Sequence, residues 1–279
     1  MVGQSIGSMI LGVEALWAAT PDVFVDTTGF AFTYPIAKLF GCFVHCYTHY
    51  PTISSDMLSL VFERRESYNN SSGVAHNLFK ARVKWVYYKL FAFFYSVVGR
   101  AADLIFVNST WTCNHIRHIW STNRARVVYP PCDTESLRSI PLGRIRPSCD
   151  ESTANDVSAR QNLVVSIGQF RPEKDHSLQL RAFARFIHTL RSSSTPFAQP
   201  VSSSTRMIMI GGARDAGDRQ RVDDLKRLAR ELQIEAHVEF AVNLPFAEMK
   251  AYLAKAMVGI HTMWNEHFGI GVVEFMAAG

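Results

Sequence analysis

Cysteine is scarce in this sequence, and the few cysteines present are not paired. The 279 residues contain five cysteines, at irregular spacing and without a Cys-x-x-Cys unit. A disulfide framework and a cysteine-based zinc site are therefore both disfavoured. We expect buried, reduced thiols in a reducing compartment.

Several signatures of nucleotide chemistry are missing as well. The chain has no Asp-x-Asp pair for a metal-held nucleotide sugar and no Gly-x-x-x-x-Gly-Lys phosphate loop. The dinucleotide fingerprint Gly-x-Gly-x-x-Gly fails after Gly271, because Val273-Glu274 stands where its last glycine should come. Metal-dependent phosphoryl transfer is disfavoured, and no metal is expected at the site.

Acidic residues are absent from one long stretch, Ser67 to Ala102. The same stretch carries five positive charges, which equals the net charge of +5 of the chain, so the remainder sums to zero. Elsewhere basic and acidic residues are interspersed, which disfavours a nucleic-acid partner. The five cations are Lys80, Arg82, Lys84, Lys89 and Arg100.

What is present indicates a globular α/β protein. Hydrophobic residues make up 48% and charged residues 19%, and the length suits two domains. Short apolar runs alternate with apolar residues at helical spacing, which predicts parallel sheets with right-handed crossovers. We expect two Rossmann-like doubly wound domains that face a cleft, with ligands at the carboxyl ends of strands.

Polar stretches set the predicted boundaries. The first domain is expected over 1–140, a linker or insertion over 141–161, and the second domain over 162–279. A further serine-rich insertion is predicted over Ser192–Thr205. The chain begins on a helix and stops after one, so we expect both domains to be partial and the protein to be longer.

An aromatic stretch from Trp85 to Gly99 is the most apolar part of the chain. It is too short to span a bilayer, which requires about 20 apolar residues. With flanking cations it is typical of an interfacial membrane helix near 84–99, whose lipid-facing residues would be Trp85, Phe91, Phe93 and Phe94. A wholly buried core helix is the alternative.

The segment Glu266–Glu274 carries the strongest chemical signal. It follows an apolar strand and opens the final helix, so that two carboxylates eight positions apart bracket a glycine-containing turn. The helix start presents free N–H groups and a positive dipole end, which suit a diphosphate. The alternative is that both carboxylates are solvated helix charges.

Two further segments supply candidate side chains. Arg171 and Lys174 follow the strand that ends at Gly168, and can reach phosphate oxygens unless they are ordinary solvated charges. His49 lies at the carboxyl end of another strand, where it would contact a substrate hydroxyl or be purely structural. Gly211-Gly212 closes a third strand, either for close backbone approach or as a turn.

Taken together, these segments resemble the two-domain (GT-B) retaining glycosyltransferases. The similarity is greatest to the dolichol-pathway α-1,2-mannosyltransferases, and the matching stretches extend over nearly the whole chain. They are His49–Ser54, Val107–Ser109, Val128–Asp133, Gly168–Lys174 and His261–Gly269.

The resemblance implies a role for each candidate residue. Lys174 and Arg171 would neutralise the diphosphate, and Glu274 would bind the donor ribose. Glu266 would hold the mannose together with the backbone that follows it, and His49 would face the reacting sugar from the other domain. The backbone positions are Phe268, Gly269 and Ile270. Many relatives have Arg directly after the glycine, where this chain has Gln169.

The same resemblance implies the reaction. The donor would be GDP-mannose, and the fourth and fifth mannoses would be added in α-1,2 linkage to dolichyl-diphosphate-linked oligosaccharide during N-glycan assembly. The expected location is the cytosolic face of the endoplasmic reticulum membrane, where other dolichol-pathway mannosyltransferases are possible partners. Alternatives are a truncated, non-catalytic form that binds only nucleotide or membrane, and another GT-B nucleotide-sugar transferase.

Overall fold

The computed structural model describes residues 1–63, 77–141, 160–195, 198–264 and 266–279. The chain folds into two compact units, Met1–Pro131 and Cys132–Gly279. Each unit contains one four-stranded sheet whose strands all pair in parallel. The predicted α/β class is confirmed.

The first unit alternates strands and helices around a sheet of order β1-β2-β3-β4. Its elements in chain order are α1 (Val2–Ala18), β1 (Val23–Asp26), α2 (Tyr34–Leu39), β2 (Phe43–Thr48), α3 (Ser55–Phe62), α4 (Leu78–Gly99), β3 (Leu104–Val107), α5 (Thr110–Ile119) and β4 (Ala125–Val127). A 3₁₀ turn at Ala31–Thr33 precedes α2.

Side-chain caps begin several of these helices. The Ser54 hydroxyl accepts the Met57 N–H at the start of α3, and the Asn77 amide oxygen accepts the Lys80 N–H at the start of α4. Such caps satisfy donors that the first helical turn leaves unpaired. The boundaries of α3 and α4 are therefore encoded locally.

Helix α4 is partly a core helix, which corrects one prediction. Phe91 is only 5% exposed and packs against Phe32 and Tyr95, so it does not face a membrane. Trp85 is half-buried, whereas Phe93 and Phe94 are exposed. Within the part of the chain that the structure describes, no helix combines the length and apolarity needed to cross a bilayer.

The second unit has the sheet order β7-β6-β5-β8. Its elements in chain order are α6 (Thr134–Arg138), β5 (Leu163–Ile167), α7 (His176–Arg191), α8 (Ala198–Ser204), β6 (Arg206–Gly211), α9 (Ala216–Glu231), β7 (Val238–Val242), α10 (Phe246–Lys255), β8 (Val258–Ile260) and α11 (Ile270–Ala277). Apolar residues pack on both faces of this sheet in two clusters.

Two boundaries differ from the predictions. The first unit ends before residue 140, because Leu137 and Ile140 pack into the core of the second unit. The serine-rich stretch Ser192–Thr205 contains helix α8, where Ala198 and Ser202 are buried. Most of the predicted linker, 142–159, lies outside the described residues.

Candidate functional site

A pocket of about 740 Å³ lies in the second unit at the carboxyl ends of its strands. Its walls come from the residues that follow β5, β6, β7 and β8 and from the first turns of α11. This is the position at which open parallel sheets bind ligands. Its volume falls within the usual range for small-molecule sites, about 300–1,000 Å³.

The loop after β5 is fixed to the segment that follows β8. A 3₁₀ turn at Pro172–Lys174 leads into α7, whose N-cap, Asp175, has a φ of 45°. The Thr262 hydroxyl donates to the Lys174 carbonyl oxygen at 2.7 Å and accepts from the Gln179 amide at 3.0 Å. These bonds hold the backbone of Lys174 beside the pocket.

Lys174 and Glu266 form the charged centre of the pocket. Lys174 Nζ lies 2.9 Å from Glu266 Oε2, and His261 Nε2 lies 2.8 Å from the same oxygen. Burial alone would raise the pKa of Glu266, but the hydrogen bond and charge of Lys174, together with His261, hold the pKa below its usual value. Glu266 is therefore ionised at neutral pH and partly neutralises Lys174.

Glu274 has a different environment. Its carboxylate lines the pocket from the second turn of α11 and has no hydrogen bond or ion pair with any described residue. Burial raises its pKa. A half-buried carboxylate that has no partner among the described residues is suited to accept hydrogen bonds from the hydroxyl groups of a ligand.

Glycines allow the backbone to approach the pocket closely. A Cβ on Gly211 would collide with the Gly168 carbonyl oxygen and the Phe170 ring. Gly212 and Gly271 also line the pocket, and Gly269 is the N-cap of α11. In the first turn of this helix, the N–H groups of Ile270, Val272 and Val273 donate to the carbonyl oxygens of Phe268 and Gly269. The Gly271 N–H has no acceptor among the described residues, so one backbone donor and the Lys174 cation belong to the same pocket.

The structure brings most predicted donor-site residues together. Besides the two carboxylates and Lys174, the pocket is lined by Arg171, Phe268 and Ile270, and Gly269 lies immediately before α11. Arg171 also faces Glu173, at 3.7 Å between Nη1 and Oε1. The clustering agrees with a shared site, while the role of each residue stays a prediction.

His49 belongs to the first unit. It is exposed just after β2, with its ring centroid 4.8 Å from that of Tyr47, and its carbonyl oxygen accepts the Thr112 hydroxyl at 3.3 Å. Its predicted role toward the sugar also stays a prediction.

Sequence reasoning assigned no role to His261 and Asn243, which line the pocket, or to Thr262, which holds the Lys174 backbone beside it. His261 and Thr262 follow β8, and Asn243 follows β7 with a φ of 56°. The Asn243 side chain accepts the Ala213 N–H at 3.0 Å and so joins two of the loops. A polar residue directly after an apolar strand was the available signal, and it applies to His261 and Asn243.

Comparisons with known proteins identify the class. Residues 1–120 match the family model for the ALG11 mannosyltransferase N-terminus, and residues 150–279 match the model for glycosyl transferases group 1. Among solved structures, an α,α-trehalose-phosphate synthase (UDP-forming) from Burkholderia vietnamiensis is similar with a TM-score of 0.66 at 11% identity, over 99% of this chain and 59% of that one. Anabaena Alr3699/HepE in complex with UDP and glucose gives 0.58 at 17% identity, over 96% and 60%.

The chain belongs to the glycosyltransferases of GT-B fold. Within this class it is 47% identical over 281 residues to a human protein and 46% identical over 283 residues to one from Dictyostelium discoideum, both called GDP-Man:Man(3)GlcNAc(2)-PP-Dol alpha-1,2-mannosyltransferase. Each match covers 100% of this chain and 54% or 53% of the relative. The predicted resemblance is confirmed, and the chain spans about half the length of these relatives.

Proposed function

We propose that this protein transfers mannose from GDP-mannose, in α-1,2 linkage, to an oligosaccharide carried on dolichyl diphosphate. The observation that carries the proposal is the identity of 47%, over the whole of this chain, to a human protein named for that activity. The pocket of the second unit supports it, since this pocket joins a cation, a helix start and a carboxylate, Glu274, with no partner among the described residues. We further propose that the product is the five-mannose intermediate, made by two successive additions.

The pocket supplies what a departing nucleoside diphosphate requires. In the transfer, the bond from the mannose C1 to the diphosphate oxygen breaks, and GDP leaves with the electron pair. A bond forms between C1 and the acceptor hydroxyl oxygen, which loses its proton, and the anomeric configuration is retained. In this proposal the diphosphate charge is stabilised by Lys174, Arg171, the Gly271 N–H and the positive end of the α11 dipole.

Carboxylates orient the two ends of the donor. Glu274, with no partner among the described residues, accepts the ribose hydroxyls, while Glu266 and the following backbone, Phe268 to Ile270, hold the mannose. Lys174 exchanges its contact with Glu266 for the phosphate oxygens, which leaves that carboxylate free to accept a sugar hydroxyl. No metal ion is assigned a part in this scheme.

Removal of either charged side chain tests this donor site. We expect Lys174→Ala and Glu274→Ala each to lower kcat/KM by at least about a hundredfold, because each removes a contact to the donor. The assay measures mannose transfer from GDP-mannose to a trimannosyl dolichyl diphosphate. Lys226→Ala, which removes an exposed lysine paired with Asp223 on α9, is the control. Wild-type rates in both pocket variants would contradict the assignment, and nucleotide binding without transfer would favour the non-catalytic alternative.

The proposed acceptor is anchored in a membrane by its dolichol chain, so the protein must bind it at the lipid surface. We place the protein on the cytosolic face of the endoplasmic reticulum membrane, with the exposed Phe93 and Phe94 of α4 in contact with lipid. Association with other dolichol-pathway mannosyltransferases remains a prediction from the resemblance.

Vesicle binding tests the membrane contact. We expect the double variant Phe93→Ser with Phe94→Ser to lower partitioning onto anionic vesicles by about tenfold or more, since two aromatic side chains leave the lipid. Phe91 is left unchanged because it is a core residue. Cosedimentation measures the partitioning, and unchanged binding by the variant would contradict the contact.

A further inference from the structure

The first unit contains an apolar groove that has no role in the donor site or the membrane contact proposed above. It lies between α3 and α4, has a volume of about 430 Å³, and is separate from the pocket described above. Helix α3 contributes Val61 and Phe62, and helix α4 contributes Leu78, Trp85 and Val86. The centroids of the Phe62 and Trp85 rings lie 6.3 Å apart, so the walls of the groove are aromatic as well as aliphatic.

The apolar lining of this groove faces water. Phe62 is 73% exposed, and Leu78 is 63% exposed. Large apolar side chains grouped around one concavity are a mark of a binding site rather than of ordinary surface. The occupant therefore has an apolar part.

Positive charge at the groove indicates that its ligand also carries an anionic group. Arg82 is a lining residue, and its guanidinium has no hydrogen bond or ion pair with any residue the structure describes. Helix α4 begins at Leu78 with no acidic residue in its first turn, so the positive end of its dipole is not offset there. From Asn77 to Ala102 the chain has cations and no carboxylate. An anion attached to an apolar chain matches this combination.

We propose that the groove binds the first isoprene units of a polyisoprenyl diphosphate, with Arg82 directed at the diphosphate. This proposal rests on the proposed function, because the acceptor suggested there carries this pair of groups. The methyl-branched chain packs against Phe62, Trp85 and Val86, and a guanidinium fits two phosphate oxygens at once. The groove thus positions the lipid end of the acceptor.

Direct binding of a short soluble analogue tests the proposal without a membrane. Farnesyl diphosphate, below the concentration at which it self-associates, is titrated into the protein by calorimetry, with inorganic diphosphate and farnesol as separate probes. We expect saturable binding of farnesyl diphosphate, with weaker binding of either part alone. Tryptophan emission should shift on binding, and the shift should be lost in Trp85→Phe.

Matched variants distinguish binding in the groove from nonspecific binding to exposed apolar side chains. We expect Phe62→Ser to weaken binding about tenfold, the loss appropriate to one phenylalanine side chain removed from an apolar contact, and Arg82→Ala to weaken binding of farnesyl diphosphate but not of farnesol. Phe79→Ser is the control, because Phe79 is 76% exposed on the same helix and does not line the groove. Circular dichroism confirms that the variants are folded.

The outcomes distinguish this inference from the proposed function. Equal losses in Phe62→Ser and Phe79→Ser, or absence of saturable binding, would overturn the groove site. Mannose transfer by a protein that fails to bind farnesyl diphosphate would overturn the groove and leave the proposed function intact. Specific binding in the groove by a protein that transfers no mannose would count against the proposed function alone.

Discussion

The two carboxylates of the pocket differ in whether other side chains contact them. Lys174 and His261 both contact Glu266, whereas Glu274 has no partner among the described residues. Glu266 is kept ionised by its neighbours, while burial raises the pKa of Glu274. One carboxylate is thus held in place by Lys174 and His261, and the other has no partner among the described residues and is available to ligand hydroxyl groups.

Alanine substitutions at two neighbouring glycines test whether the backbone must approach closely at Gly211. Gly211→Ala should lower the free energy of unfolding by about 1–3 kcal/mol, because the added methyl group collides with the Gly168 carbonyl oxygen and the Phe170 ring. Gly212→Ala should be tolerated, since its nearest neighbour would be Asn243 Oδ1 at 3.7 Å. Urea denaturation of both variants measures the difference. Equal stabilities would show that close approach at Gly211 is not required.

Helix α7 carries a buried titratable group at its start. His176 is 4% exposed and lies against the Phe170 ring, with centroids 5.1 Å apart. Burial, with the nearby charge of Lys174, lowers its pKa to about 4 from an ordinary 6.5. The folded protein therefore keeps this imidazole neutral under conditions in which the unfolded chain protonates it.

Stability should depend on pH through this residue. As the pH falls below 6.5, the unfolded state binds the proton first, so stability decreases until the folded pKa near 4 is reached. We expect this residue to cost about 2 kcal/mol of stability between pH 7 and pH 5. Urea denaturation at both values, for the wild type and His176→Gln, measures it. A loss of the same size in the variant would contradict this origin.

Local patterns predicted strands better than they predicted the faces of helices. Strands β3 and β7 coincide with short, largely apolar runs between polar residues, a pattern that leaves little ambiguity. Helix α4 is apolar nearly all round, so its periodicity could not separate the buried Phe91 from the exposed Phe93. That distinction depends on tertiary contacts with Phe32 and Tyr95.

The side-chain contacts within the site could not be predicted, because they join residues far apart in the sequence. Glu266, Lys174 and Glu274 could be predicted because they lie in recognisable segments beside strands and helix starts. The contact between Lys174 and Glu266 spans 92 residues of sequence, and the bond from Thr262 to the Lys174 carbonyl spans 88. No local pattern encodes such pairings, because they depend on the order of β5 and β8 in the sheet.

Across the chain, the two units have the same plan of parallel strands and helices but differ in their exposed surfaces. The first unit carries the apolar groove and the cations of α4, and the second carries the pocket with paired and unpaired carboxylates. Lipid contact and donor binding are accordingly assigned to different units. Each assignment is open to a separate measurement on the same protein.

The central claim is that the second unit binds a sugar nucleotide through Lys174 and Glu274. Calorimetric titration of GDP-mannose and of GDP into the protein tests it most directly, with Lys174→Ala, Glu274→Ala and the surface variant Lys226→Ala measured alongside. We expect saturable binding of both nucleotides, weakened at least about tenfold by each pocket substitution and unchanged by Lys226→Ala. Absence of binding by the wild type, or equal affinities in all four proteins, would contradict the account.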